Sequence, residues 1–278
     1  MASSAIDGGT ILVTGASSGI GMAIARLVAP RAKTTVLVAR RVDRLEELKR
    51  ALLEHRSSLR VEVIPCDLSS REEVAKLVAD IGERGVEVDV LVNNAGVGMM
   101  GMFERADVAK TTFTIDVNVT SLTLLTLAFL PRMVERRSGG VININISSGF
   151  GLGVTPMFAA YLATKHYVTG FTEGLCADLA GTGVVVTQVC PGPVRTEFEQ
   201  TMGNASGTKV PAFIEISAEH CARSAIRAFE RRRAMVVPGI TMKIVMLINA
   251  LSPRCMRRAF AGLLGRIVRK KQLVSPVL

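Results

Sequence analysis

Tyr161 and Lys165 stand four residues apart in a run from Met157 to Leu179 whose pattern predicts a helix. A spacing of i, i+4 puts both side chains on one helix face. A phenol with an ordinary pKa near ~10 is a poor proton shuttle at neutral pH. An ammonium held beside it favours the phenolate and lowers that value. Such a pair can pass a proton to or from a carbonyl or alcohol oxygen. The same spacing is common on helix surfaces, so its meaning rests on what else the chain carries.

A second cluster lies near the N-terminus. Thr14-Gly15-Ala16-Ser17-Ser18-Gly19-Ile20-Gly21 follows an apolar run and opens a helical pattern. Glycine lets a backbone turn tightly and approach a pyrophosphate, whose charge is favoured at a helix N-terminus. A dinucleotide site often ends its second strand with an acidic residue on the ribose hydroxyls. Here that place holds Arg40 and Arg41. Guanidinium groups clamp a 2′-phosphate that a carboxylate would repel, so NADPH (NADP+) is expected in preference to NADH. Asp67, after the third apolar run, either bonds an adenine amino group or caps the next helix.

These residues need a scaffold. Short apolar runs at Ile11–Thr14, Thr35–Ala39, Arg60–Pro65, Asp89–Val92, Gly140–Ile146 and Val184–Val189 suit strands buried on both faces of a parallel sheet. Helical patterns at Gly21–Ala29, Asp43–His55 and Arg71–Ile81 alternate with them, and Asp43 with Glu46 reads as a capping box. Ala234–Val237 reads as a late edge strand. The expected fold is α/β: a Rossmann-type doubly wound parallel sheet. A single catalytic domain covers 1–237, and a basic amphipathic C-terminal extension covers 238–278.

Composition agrees. Hydrophobic residues make up 49% of the 278, and charged residues 21%, which excludes a disordered chain. The five cysteines are scattered without metal-ligand spacing, so no metal site is expected and the thiols are read as reduced and mostly buried. Met1–Gly9 lacks the basic and apolar pattern of a secretory signal, so a cytoplasmic setting is expected. The formal charge is +10, yet eight Lys or Arg and no acid fall between Pro238 and Leu278. The remainder carries 26 basic against 24 acidic residues. A near-neutral body argues against a nucleic-acid partner.

From Thr10 to about Val237 the chain resembles the short-chain dehydrogenase/reductase (SDR) family. The resemblance rests on the TGASSGIG loop, Asp67, Asn93-Asn94-Ala95-Gly96, Asn118, Ser147-Ser148 with Tyr161 and Lys165, and Pro191-Gly192-Pro193-Val194-Arg195-Thr196, in that order. It implies that Tyr161 is the general acid in reduction, that Lys165 lowers its pKa and binds the nicotinamide ribose, and that Ser148 bonds the substrate carbonyl. Asn118 would support a proton relay through Lys165, and Asn94 would flank the cofactor. Pro191, Val194 and Thr196 would lie at its carboxamide end. His166, next to Lys165, is read as packing. The family also implies a homodimer or homotetramer formed through the helices bearing Asn118 and Tyr161. The competing class is an NADP(H)-binding sensor or scaffold without turnover; an epimerase or dehydratase is a third.

The segments expected to line a substrate pocket are Val97 to Phe103, Gly149 to Val154 with Met157 and Phe158, and Phe198 to Phe213. The first two are apolar and rich in Met, which suits a deformable pocket for a lipophilic ketone: acyl, steroid-like or aryl. In the extension, Ile240–Leu251 is too short for the ~20 residues of a membrane span. Arg254 to Lys271 can be drawn as a helix with Met256, Phe260, Leu263 and Ile267 in one stripe, opposite Arg254, Arg258 and Arg269. Two readings stand open: peripheral membrane contact, or a helix packed on the body or a partner subunit.

Overall fold

The computed structural model describes residues 4–144, 155–198 and 215–274. A seven-stranded sheet forms its centre, in the order β3-β2-β1-β4-β5-β6-β9. The strands are β1 (Thr10–Thr14), β2 (Thr34–Ala39), β3 (Arg60–Pro65), β4 (Val90–Asn93), β5 (Gly140–Ile144), β6 (Val185–Val189) and β9 (Met235–Val236). All pairings are parallel. A second parallel pair joins β7 (Val194–Arg195) to β8 (Ile216–Ser217).

The strands are apolar throughout because both faces are covered. Ile11 and Val13 of β1 point into one core with Ile20, Ile24 and Val28 of α1 (Gly19–Val28) and Leu45, Leu48 and Leu52 of α2 (Val42–His55). Leu12 points the other way, into a core with Val74, Leu77 and Ile81 of α3 (Arg71–Glu83). That second core also holds Leu125, Phe129 and Met133 of α5 (Ser121–Glu135). Helix α4 (Val108–Ile115) runs into α5 through a π-helical segment, Asp116–Thr120. The run Val108–Glu135 is long and apolar enough to cross a membrane by length and composition, but its Leu125, Phe129 and Met133 are committed to the sheet. Helix α6 (Ala159–Asp178) follows, and α7 (Ala218–Glu230) packs beside α1. Helices α8 (Ile240–Leu251) and α9 (Arg254–Val274) make up the C-terminal region.

Every strand expected from sequence is present, with ends shifted by a residue or so; Asn145 and Ile146 of the fifth lie outside the described residues. Three local expectations are corrected. Helix α2 starts at Val42 with Arg41 at its N-cap and no side-chain cap, so Asp43 sits inside the first turn. There its carboxylate complements the helix dipole but does not cap. Asp67 does not cap α3 either: Ser70 does, accepting from the backbone N–H of Glu73. His166 is exposed and not packed; its Nδ1 meets the Leu162 carbonyl one turn back at 2.8 Å.

A buried polar ladder pins the site-bearing helices to the sheet. Asn93 and Asn143 face each other in the β4–β5 register. Asn93 Nδ2 donates to Asn143 Oδ1 (3.0 Å) and to Thr126 Oγ1 on α5 (3.1 Å). Asn143 Nδ2 donates to Thr172 Oγ1 on α6 (2.9 Å), and Gln188 Nε2 on β6 donates to Thr169 Oγ1 (2.9 Å). The paired amide N–H groups favour one arrangement of neighbours, since a slip would leave them unpaired in a dry interior beside Asn93 Oδ1 and Gln188 Oε1, which have no partner among the described residues.

Candidate active site

At β1 the connection order reverses: β2 lies on one side and β4 on the other. Loops leaving the carboxyl ends of β1 and β4 therefore diverge and leave a crevice. A cleft of about 290 Å³ lies there. Its walls include Gly15, Ser17, Ser18, Gly19 and Ile20 from the first loop, Arg40 and Arg41 after β2, Asp67 after β3, Asn94 after β4 and Thr196 after β6. Thus ten of the residues expected to bind cofactor meet in one place. Gly21, Tyr161, Lys165, Pro191 and Val194 are not on its wall.

Local bonds explain the loop's shape. Thr14 Oγ1 accepts from the backbone N–H groups of Asn94 and Ala95, both at 3.0 Å, and donates to the Val92 carbonyl. Asn94 Nδ2 donates to the carbonyls of Thr14 (2.9 Å) and Gly15 (3.3 Å). The two loops are stitched so closely that a Cβ on Gly21 would stand 2.5 Å from Asn94 Nδ2. Gly21 therefore serves close packing. Gly19 has φ +56°, and a Cβ there would stand 2.9 Å from Thr196 Cγ2, so only glycine fits this turn. Ser18 is the N-cap of α1 and its side chain makes no cap bond to the helix.

At the adenosine end, Arg40 lies over the Phe113 ring, 5.4 Å from its centroid. Arg41 donates to Ser17 Oγ through Nε (3.3 Å) and Nη2 (3.2 Å), and through Nη1 to Glu197 Oε2 (2.8 Å). Bonding to Arg41 holds the Glu197 carboxyl below the usual carboxylate range. Phe113 and Glu197 were not legible as site residues, since each reaches the cleft only through the fold. Asp67 Oδ1 accepts from Ser69 N–H and Oγ–H, which orients its carboxylate on the cleft wall. Burial pushes the neighbouring Cys66 thiol up to about 12, so it is not a nucleophile at neutral pH.

Behind Gly96 and Phe198 of the cleft wall, α6 presents Tyr161 and Lys165, 1% and 3% exposed. Lys165 Nζ is 5.4 Å from the Tyr161 ring centroid. Burial pulls the Lys165 ammonium down to about 8. Tyr161 lies between two tilted rings, Phe158 at 6.4 Å and Phe198 at 6.1 Å between centroids. Asn118, inside the π-helical segment, accepts from Val97 N–H at 2.9 Å and donates to the Val97 carbonyl at 2.9 Å. Its Nδ2 also donates to Thr164 Oγ1 (3.1 Å), which in turn donates to the Tyr161 carbonyl (2.7 Å). A Cβ on Gly96 would stand 3.3 Å from Asn118 Oδ1 and 3.6 Å from Lys165 Nζ. Asn118, Tyr161 and Lys165 are thus brought together around one small space. Thr164 joins them unannounced by any sequence signal beyond its place beside Lys165.

Ser147 and Ser148 lie outside the described residues, as do Gly149 to Val154 and the segment 199–214 of the expected pocket. Among the pocket residues described, Met99 is buried and Phe103 is exposed on the surface. Met157 holds φ +72°, a left-handed backbone rare outside glycine, and its carbonyl accepts from Gly101 N–H at 2.8 Å. This bond ties the loop after β4 to the segment that leads into α6. No group of three or more His, Cys, Asp or Glu could hold a metal among the described residues.

A family model described as short chain dehydrogenase matches residues 9–207. An uncharacterized oxidoreductase of Staphylococcus saprophyticus is 34% identical over 234 residues, covering 84% of this chain and 96% of its relative. Among solved structures, a short-chain dehydrogenase from Sphingobium yanoikuyae in complex with NADPH aligns with TM-score 0.74 at 29% identity, covering 97% of this chain and 96% of the other. A bulky-bulky ketone specific alcohol dehydrogenase from Comamonas testosteroni aligns with TM-score 0.70 at 25% identity, covering 88% and 95%.

Proposed function

Because the chain belongs to the short-chain dehydrogenase family and is a nicotinamide-dependent oxidoreductase, we propose that it reduces a lipophilic ketone to the alcohol with NADPH, reversibly. The observation that carries this reading is the buried Tyr161–Lys165 pair set directly behind Gly96 and Phe198, which line a cleft that also holds Arg40 and Arg41. The dinucleotide fits the residues present: the glycine loop lines the cleft at the N-terminus of α1, where a pyrophosphate is favoured, and the arginines supply charge for a 2′-phosphate. The Sphingobium yanoikuyae relative, solved in complex with NADPH, supports the same choice.

When bound, the nicotinamide supplies or takes up the hydride. The chain's own residues handle the proton. In reduction Tyr161 Oη donates to the carbonyl oxygen as negative charge develops there. The Lys165 ammonium beside it stabilises the phenolate left behind. Asn118 holds Val97 and Thr164, and so fixes the distance between the loop after β4 and the helix that carries Tyr161. Ser148 is assigned as the second donor to the carbonyl from its place in the sequence alone. The Phe158 and Phe198 rings beside Tyr161 favour an apolar group on the reacting carbon. Association of two copies through α5 and α6 is supported by the exposed Leu127 and Tyr167 on those helices.

The test is NADPH consumption against ketones graded from short and polar to long and apolar. Turnover rising with apolar bulk is expected. Turnover confined to short polar ketones would overturn the substrate reading, and NADPH binding without turnover on any ketone would overturn the reductase.

A further inference from the structure

The two C-terminal helices invert the usual amphipathic arrangement. Soluble helices turn large apolar residues inward. On α8 the exposed residues are Ile240, Ile244, Leu247, Ile248 and Leu251, spaced i, i+4, i+7, i+8, i+11, which is a single face. Ile240 and Leu251, at its ends, are each 76% exposed. The opposite face is held inward: Met242 packs on Gly192, where a Cβ would meet Met242 Cε at 2.5 Å. On α9 the exposed stripe is Met256, Phe260, Leu263 and Ile267, again i, i+4, i+7, i+11. Its inward face is small: Ala261 is buried, and a Cβ on Gly265 would stand 3.7 Å from Pro156. Arg257 bonds Asn249 and joins the helices, and Arg269 pairs with Glu104.

We infer that this helix pair docks the protein onto an anionic lipid surface. Charge selects the occupant. The segment after Pro238 holds eight basic residues and no acid, so a second copy of the same face would meet like charge. Lys243 on α8 and Arg266 and Lys270 on α9 flank the stripes, where cationic heads reach lipid phosphates while apolar neighbours enter the acyl boundary. A nucleic-acid surface would use the charge but leave nine large apolar side chains in water. Twelve residues in α8 are too few to cross a bilayer, and the 21 residues of α9 include seven Lys or Arg, so the pair lies on the surface. Its inward contacts reach Gly192 after β6, Pro156 before α6 and Glu104 after β4. Docking therefore sets the loops after β4 and β6 and before α6 beside the lipid. The docking itself does not depend on the substrate assigned above.

The test is co-sedimentation of the full chain with vesicles of phosphatidylcholine plus phosphatidylglycerol and of phosphatidylcholine alone. Binding is expected to the mixed vesicles, weaker to the neutral ones, and weaker again as salt rises. Leu247→Ser with Phe260→Ser should cut binding at least about tenfold by withdrawing two anchors. Lys243→Glu with Arg266→Glu should abolish the preference for anionic vesicles. Both variants change exposed residues, so turnover of a water-soluble ketone should stay unchanged and vouch for the fold. No binding to mixed vesicles, or equal binding by the Leu247→Ser, Phe260→Ser variant, overturns the inference. So does a lipid-free association of the chain that the same variant abolishes, since the stripes would then join two copies.

Discussion

Replacing Lys165 by Met should make the protein more stable while ending its turnover. Among the described residues Lys165 is the only buried side chain that carries a charge. Burial pulls its pKa from 10.5 to about 8. At one pKa unit per 1.36 kcal/mol, keeping that ammonium charged in the fold costs up to about 3 kcal/mol. Met fills a similar volume without the charge, and the contacts Lys165 makes offset part of the gain. The melting temperature near neutral pH should therefore rise by about 2 to 6 °C, at roughly 2 °C per kcal/mol for a chain of this size. The pH dependence gives the sharper reading. A base with a depressed folded pKa destabilises the fold fully below that pKa. Between about pH 8 and pH 10.5 the folded protein has shed the proton and the unfolded chain still holds it, so wild-type stability climbs with pH. The advantage of Lys165→Met should shrink across that window and vanish above it. Thermal melts of both proteins from about pH 7 to pH 10.5, without cofactor, measure this directly. A variant that melts lower at neutral pH, or an advantage that does not change with pH, would refute the burial argument.

Three other changes probe the cleft. Tyr161→Phe should lower turnover about a hundredfold or more with NADPH affinity nearly unchanged; retained activity in a steady-state assay would remove Tyr161 as proton donor. Arg40→Asp should weaken NADPH by roughly 10- to 100-fold, the worth of a charge-assisted bond, and shift preference toward NADH; an unchanged ratio of the two affinities would move the 2′-phosphate contact elsewhere. Glu197→Gln frees Arg41 from an exposed ion pair worth at most about 1 kcal/mol. NADPH titration should then show affinity up to about fivefold tighter, and a weaker complex would mean that Glu197 helps hold the cofactor.

The sheet was legible because a parallel strand buried on both faces is an unbroken apolar run. β1, β2, β4 and β5 are buried at every residue, and sequence placed the ends of β1, β2 and β4 and the start of β5 within a residue or so. Helix starts were less legible. Asp43 and Ser70 look alike as cap residues, and only the path of the backbone makes Ser70 the cap and Asp43 a first-turn residue. The site divided along the same line. Tyr161 with Lys165, and Gly15 through Gly21, are local motifs whose geometry one element sets. Glu197 meets Arg41 across 156 residues, and Asn93 meets Asn143 only through strand register. Neither pairing leaves a mark in spacing.

The π-helical segment at Asp116–Thr120 has a consequence for how this site could be lost. A π turn accommodates one residue more than the α-helix around it. Each residue of an α-helix advances the azimuth by ~100°. Deleting Val119 would let the run from Val108 to Glu135 become one regular helix, with composition and apolar character almost unchanged. If the Leu125, Phe129 and Met133 face kept its seat on the sheet, the helix before the deletion would keep its own, because an α turn with one residue fewer covers about the same angle, and the residues inside the segment would be the ones re-aimed. Asn118 would then aim its amide away from Val97 and Thr164. Such a chain would still spell out every motif of the cleft, and an inventory of letters would count it complete while its active centre had come apart.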